Sequence, residues 1–145
     1  MGASFEEVWS RVTSGADDGQ AELRRRIRRE AEIRRLCEAQ LRQRIGPAAR
    51  ETLSLLGRHA AGRLRQLRTL HFLTSGDAWQ PPETLPGPMP LPQALREIYR
   101  RLSDGAAAEE APGRNLPDAE ALFRQSAEEA RTDAALLRRL AEKLL

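Results

Sequence analysis

Residues 18–75 read DGQAELRRRIRREAEIRRLCEAQLRQRIGPAARETLSLLGRHAAGRLRQLRTLHFLTS, two long arginine-rich runs interrupted only at Gly46-Pro47. In the first run Leu23, Ile27, Ile33, Cys37, Leu41 and Ile45 recur at helical spacing, and Glu30 lies inside that stripe. In the second the stripe is Leu53, Leu56, Ala60, Leu64, Leu67 and Leu70, bordered by Arg63 and His71. Side chains three and four residues apart share one helix face, so each run predicts an amphipathic helix. Glycine suits a helix end and proline a first helical turn. The stretch therefore predicts a hairpin of helices at about 18–45 and 47–75.

Upstream, Ser4 can cap a short helix that presents Phe5, Val8, Trp9 and Val12 on one face and ends at Ser14-Gly15. This predicts a separate amphipathic helix within 1–16, with Trp9 covering the bundle or a partner chain. Downstream, six prolines and two glycines between Gly76 and Pro92 exclude a helix or a central strand and predict a crossover over 76–91. A third helix is predicted over 92–111 from Leu95, Ile98, Leu102 and Ala106, with Glu109 near its end before Pro112-Gly113. A fourth is predicted over 117–144 from Phe123, Ala130, Leu137, Leu140 and Leu144, with Asp133 on its inward stripe. Tight links make sequential helices antiparallel, and a long link lets the third run parallel to the second. The expected architecture is an all-α four-helix bundle over 17–145 with one long crossover between helices 2 and 3, the ferritin-like connectivity.

At 145 residues the chain suits one domain, and its 4% aromatic content beside abundant Leu, Ala and Arg favours helix. The net charge is only +3, but residues 1–75 carry 15 basic and 9 acidic side chains against 9 and 12 in residues 76–145. The single cysteine, Cys37, excludes an intrachain disulfide or thiolate cluster, and its place on an apolar stripe makes it a core residue. No signal-peptide run or stretch of about 20 apolar residues is present, so a cytoplasmic protein away from membranes is expected. No glycine-rich phosphate loop, Ser/His/Asp set, thiol pair or zinc spacing assigns an enzyme class.

Five segments together resemble the small bacterial rubrerythrin-like proteins of the ferritin-like superfamily. They are Gly46-Pro47-Ala48-Ala49-Arg50, Leu70-His71-Phe72-Leu73-Thr74-Ser75-Gly76, Trp79-Gln80-Pro81-Pro82-Glu83, Leu91-Pro92-Gln93-Ala94-Leu95-Arg96 and Ala121-Leu122-Phe123-Arg124-Gln125-Ser126-Ala127-Glu128-Glu129. The resemblance implies a bundle holding two irons by a Glu on helix one, Glu-x-x-His on helix two, a Glu on helix three and Glu-x-x-His on helix four. Laid on this chain, that pattern retains Glu30 and meets Ala60, Arg63, Leu102, Ala130 and Asp133 at the other five positions. A guanidinium is permanently cationic and does not ligate metal. The resemblance thus implies the fold without the di-iron oxidoreductase chemistry: a degenerate, non-catalytic bundle with no cofactor, acting as a structural or interaction module.

Two readings of Arg63 stand at this point. In one it bridges Glu30 and Asp133 as an interior polar cluster, with Ala60, Leu102 and Ala130 filling the vacated ligand positions; in the other it snorkels outward while Leu64 points in. An alternative function keeps iron or another divalent metal, with Glu30, Glu32, Asp133, His59, His71 and Glu109 as weak candidate ligands. His59 is expected at the surface, one position out of register. A minor alternative is nucleic-acid binding through Arg24, Arg25, Arg28 and Arg29 on helix one. Trp9, Trp79 and the opposite charge of the two halves suggest a homodimer or another protein partner.

Overall fold

The computed structural model describes residues 5–83, 87–108 and 119–145, with the backbone alone for 5–18. The described residues form four helices and no strand: α1 (Phe5–Leu41), α2 (Pro47–Ser75), α3 (Leu91–Ala107) and α4 (Ala119–Leu144). Among them no helix is long and apolar enough to cross a membrane.

The expected break after the first short helix is corrected, because α1 continues through Ser14-Gly15 as one helix of 37 residues. An interior glycine costs only about 1 kcal/mol relative to alanine, and extending an existing helix avoids the cost of nucleation. The Ser4 cap and the Trp9 side chain lie outside the described residues, as do Glu109, the turn signal at Pro112-Gly113 and the expected start of the fourth helix at 117.

The other end of α1 is also corrected, from Ile45 to Leu41. Arg50, in the first turn of α2, donates from Nη1 to Leu41 O and from Nη2 to Gln43 O, both at 3.1 Å. The guanidinium thereby satisfies carbonyls that further helix would otherwise have to satisfy. Gly46 is extended (φ −63°, ψ 162°) and belongs to the start of α2, ahead of Pro47, rather than to the close of α1. Gly76 takes the left-handed role, with φ 75° and its N–H on Phe72 O at 2.8 Å. In α3 the α-helix stops at Ala107, short of the expected 111, and the Ala108 N–H bonds Asp104 O.

Side-chain bonds set the directions. Gln20 meets Thr74, Arg63 meets Glu30 and Arg50 meets the α1 end, so α1 and α2 are antiparallel. Arg26 donates to Ala108 O and Arg101 to Glu32, which makes α3 antiparallel to α1 and parallel to α2. His59 and Arg63 both reach Asp133, while Gly105 abuts Ala130, so α4 packs on α2 and α3. The pairs α1/α4 and α2/α3 are the diagonals of the bundle.

The apolar stripes bury in two clusters. Ile33, Cys37, Leu53, Leu56, Ala60, Leu95, Ile98, Leu102, Ala130 and Leu137 form one; Leu23, Ile27, Ala31, Leu64, Leu67, Ala119 and Phe123 form the other. Each fully buried Leu or Ile contributes about 1.5–3 kcal/mol relative to an exposed one, so these clusters hold the bundle together. Along α2 the clusters meet between Ala60 and Leu64, and Arg63 occupies that boundary.

Candidate functional site

Glu30, Arg63 and Asp133 are all buried, at 6%, 3% and 0% exposure. Arg63 Nε donates to Glu30 Oε2 at 2.8 Å, and its Nη1 donates to Asp133 Oδ2 at 2.9 Å and to Glu129 Oε1 at 2.6 Å. Three helices thus converge on one guanidinium, whose fixed fork of donors suits this division among carboxylates. Leu64 is buried too, in the second apolar cluster, so Arg63 and Leu64 share the inward side of α2.

One member of the site, Glu129, was not singled out from the sequence, and another, His59, was named there as a candidate ligand but expected at the surface. Glu129, partly exposed at the edge, lies one turn before Asp133, a spacing that places both on one face of α4. His59, expected at the surface, is partly buried and donates from Nδ1 to Asp133 Oδ1 at 2.7 Å. Its register is indeed one residue off the inward stripe, but an imidazole at the edge of α2 is long enough to reach a carboxylate on α4. Asp133 consequently has both oxygens bonded, one by Arg63 and one by His59.

Burial is the largest influence on Glu30 and opposes its charge, and the Arg63 guanidinium offsets only part of it, so the Glu30 pKa is raised. Burial also opposes the charge of Arg63, but Glu30 and Asp133 together outweigh it and raise the Arg63 pKa, leaving it cationic. Such a cluster need not stabilise the fold, because desolvating the charges costs as much as their attraction returns. It does fix which residues face one another.

The positions that the resemblance assigns to lost metal ligands, Ala60, Leu102 and Ala130, are buried in the first apolar cluster. His59, Glu129 and Asp133 each bring one ligand atom within 4.8 Å of the others, an arrangement compatible with a cation. Arg63 Nη1 already bonds two of those carboxylates.

The remaining candidates fall elsewhere. His71 is fully buried at the end of α2, where Nδ1 donates to Asp77 O at 3.0 Å and Nε2 accepts from Arg24 Nε at 3.3 Å. It is a hydrogen-bonding core histidine. Glu32 pairs with Arg101 at 2.9 Å on the α1/α3 side. Cys37 is buried, and burial pushes its thiol up to about 12.

The arginine-rich middle of α1 is not one basic surface. Successive residues turn about 100° around a helix, which scatters the run. Arg24 and Arg28 lie over the Trp79 ring, with guanidinium carbons 5.3 and 6.0 Å from its centroid. Arg25 and Arg26 bond Glu22. Arg26 is buried against the Phe123 ring at 3.9 Å and closes the end of α3 through Ala108 O. Arg29 faces α3 beside Gly105. Trp79 packs partly buried on the second cluster, fastening the segment after α2 to α1.

Comparison of the chain with protein-family models, curated proteins and solved structures finds no match.

Proposed function

We propose that this protein is a non-catalytic, ferritin-like bundle that acts as a structural or protein-interaction module, with an arginine where related bundles carry metal. The observation that carries this reading is the buried Arg63 guanidinium bonded to Glu30 and Asp133. The ferritin-like assignment is supported by α3 running parallel to α2, an arrangement that requires one long crossover over 76–91. It is supported also by the direct continuation of the stripes through Ala60, Leu102 and Ala130.

The residues present do not fit a di-iron centre. Two metal ions of that kind need several carboxylates and imidazoles to neutralise and hold them. Here three of the family positions are apolar, and a fourth is a permanent cation that repels metal. As an interaction module the protein would act as a homodimer or with another protein, in the cytoplasm. The exposed Phe72 and Leu73 at the end of α2 and the unequal charge of the two halves support an interacting surface.

Elemental analysis of protein purified without a histidine tag tests the central claim. The expected result is transition metal well below one equivalent; stoichiometric iron would overturn the proposal. Light scattering separately reports the oligomeric state.

One observation favours a second reading, a single divalent cation at His59, Glu129 and Asp133. It is the weaker reading because the cation would have to displace Arg63 from two carboxylates and then sit beside it. Calorimetric titration with Zn²⁺ separates the two: saturable binding to the wild type that disappears in His59→Ala would select the metal.

A further inference from the structure

A second polar feature lies outside the centre, on the outer side of the α1/α2 pair. A groove of about 370 Å³ is lined by Arg34 from α1, by Leu64, Arg65, Arg68 and Phe72 from α2, and by Ala78 from the segment that follows. Its existence follows from helical spacing, since residues 61, 65, 68 and 72 are steps of four, three and four along one face of α2, with 64 beside them one turn from 61 and 68. Among the described residues, no acidic residue lines it.

Several arginines of α1 already have partners. Arg24, Arg25 and Arg26 have carboxylate partners, and Arg35 donates to Pro82 O. Arg65 and Arg68, by contrast, have no carboxylate partner among the described residues. Arg34 has only a 3.5 Å contact with Glu38. The Arg34 Nε meets that Glu38 oxygen beyond good hydrogen-bond geometry, and the Arg68 Nε has no acceptor among the described residues. An oxyanion in the groove would neutralise the charge of these guanidiniums and accept from the N–H groups they leave exposed. Phe72, half exposed at the end of the same face, and the Leu64 side chain add an apolar wall.

We propose that this groove binds a small phosphorylated ligand with a flat apolar part, the phosphate held by Arg34, Arg65 and Arg68 and the apolar part lying against Leu64 and Phe72. The volume suits a ligand of that size. Arg65 and Arg68, two guanidiniums without a carboxylate partner among the described residues, are best balanced by a dianion, and the planar fork of each matches phosphate oxygens in pairs. The site shares no residue with the central cluster, so its occupancy is independent of what Arg63 does.

The test is a ¹H–¹⁵N NMR titration at low ionic strength with three probes: inorganic phosphate, phenyl phosphate and phenol. The proposal expects saturable shifts confined to residues 61–72 and the neighbourhood of Arg34, with phenyl phosphate saturating at lower concentration than phosphate and phenol giving none. Arg65→Gln, at an exposed side chain whose loss leaves the core intact, should raise the half-saturating concentration about tenfold, the usual worth of a charge-assisted bond. Arg68→Gln should do the same. Absence of saturation with both anions overturns the proposal, as do shifts centred on Arg24–Arg29 or binding unchanged in Arg65→Gln. A single-stranded oligonucleotide that binds while phenyl phosphate does not would also overturn it, in favour of nucleic acid.

Discussion

Arg63→Ala is the most informative perturbation of this bundle. The substitution removes bonds to Glu30 at 2.8 Å and to Asp133 at 2.9 Å and leaves both carboxylates buried without their cation. A hydrogen bond to a charged group is worth about 1.5–3 kcal/mol, so the two give about 3–6 kcal/mol, close to the ~3–5 kcal/mol found for breaking buried ion pairs. The third bond, to Glu129, adds little, because that carboxylate is 42% exposed and water replaces the guanidinium. A domain of this size has a total stability of about 5–15 kcal/mol, so the variant should still fold. Urea unfolding followed by helical circular dichroism at pH 7 measures the loss, and the melting temperature should fall by roughly 6–20 °C. The loss should shrink on acidification: burial already raises the Glu30 pKa, and the stranded carboxyl's destabilising effect is absent once both folded and unfolded states hold the proton. A loss under about 1 kcal/mol at neutral pH, or one that grows as pH falls, would refute the cluster as the organiser of the bundle centre.

Three further outcomes follow from the burial of single residues. Burial raises the Glu30 pKa above its ordinary 4.5, so the folded state holds that proton more tightly than the unfolded chain, and the associated stability is lost as pH rises through the raised value. The stability of the wild type relative to Glu30→Gln should therefore fall as pH rises from about 4.5 towards neutrality, and a rising difference would contradict the burial argument. Cys37, fully buried and with its thiol pushed up to about 12, should not react with a disulfide reagent in the native protein but should give one equivalent in urea; rapid native reaction would place it wrongly. Gly62→Ala should stabilise the protein by about 0.5–1 kcal/mol, because a Cβ there meets nothing within 4 Å and the helix gains rigidity, an effect visible as a higher urea midpoint.

The cluster was legible in part. Glu30, Arg63 and Asp133 stand out because each interrupts or borders an apolar stripe, and a polar residue on an inward face demands a partner. Their pairing was not determined by spacing alone, since a helix advances about 100° per residue and a one-residue error turns Arg63 outward. Glu129 was missed and His59 was expected at the surface for the same reason: each sits at the edge of its helix face, where only the neighbouring helix decides whether the side chain meets water or the cluster.

What the sequence by itself determined is what depends on near neighbours along the chain. Pro47 and Gly76 bound α2 because their backbone preferences act within a few residues, and Leu23, Ile27, Leu53, Leu56, Ile98, Leu102 and Leu137 are buried because the helical period places them together. The tertiary structure decided what depends on residues far apart in the chain. It set Arg63 between Glu30 and Asp133 and brought His59 to the same Asp133. It also spread the arginine run over several partners, buried Arg26 against Phe123, and left Arg65 and Arg68 without a carboxylate among the described residues. The physical reason is range: backbone conformation is set by local sterics and periodicity, whereas the partner of a long charged side chain is chosen by whatever another helix brings within about 3 Å.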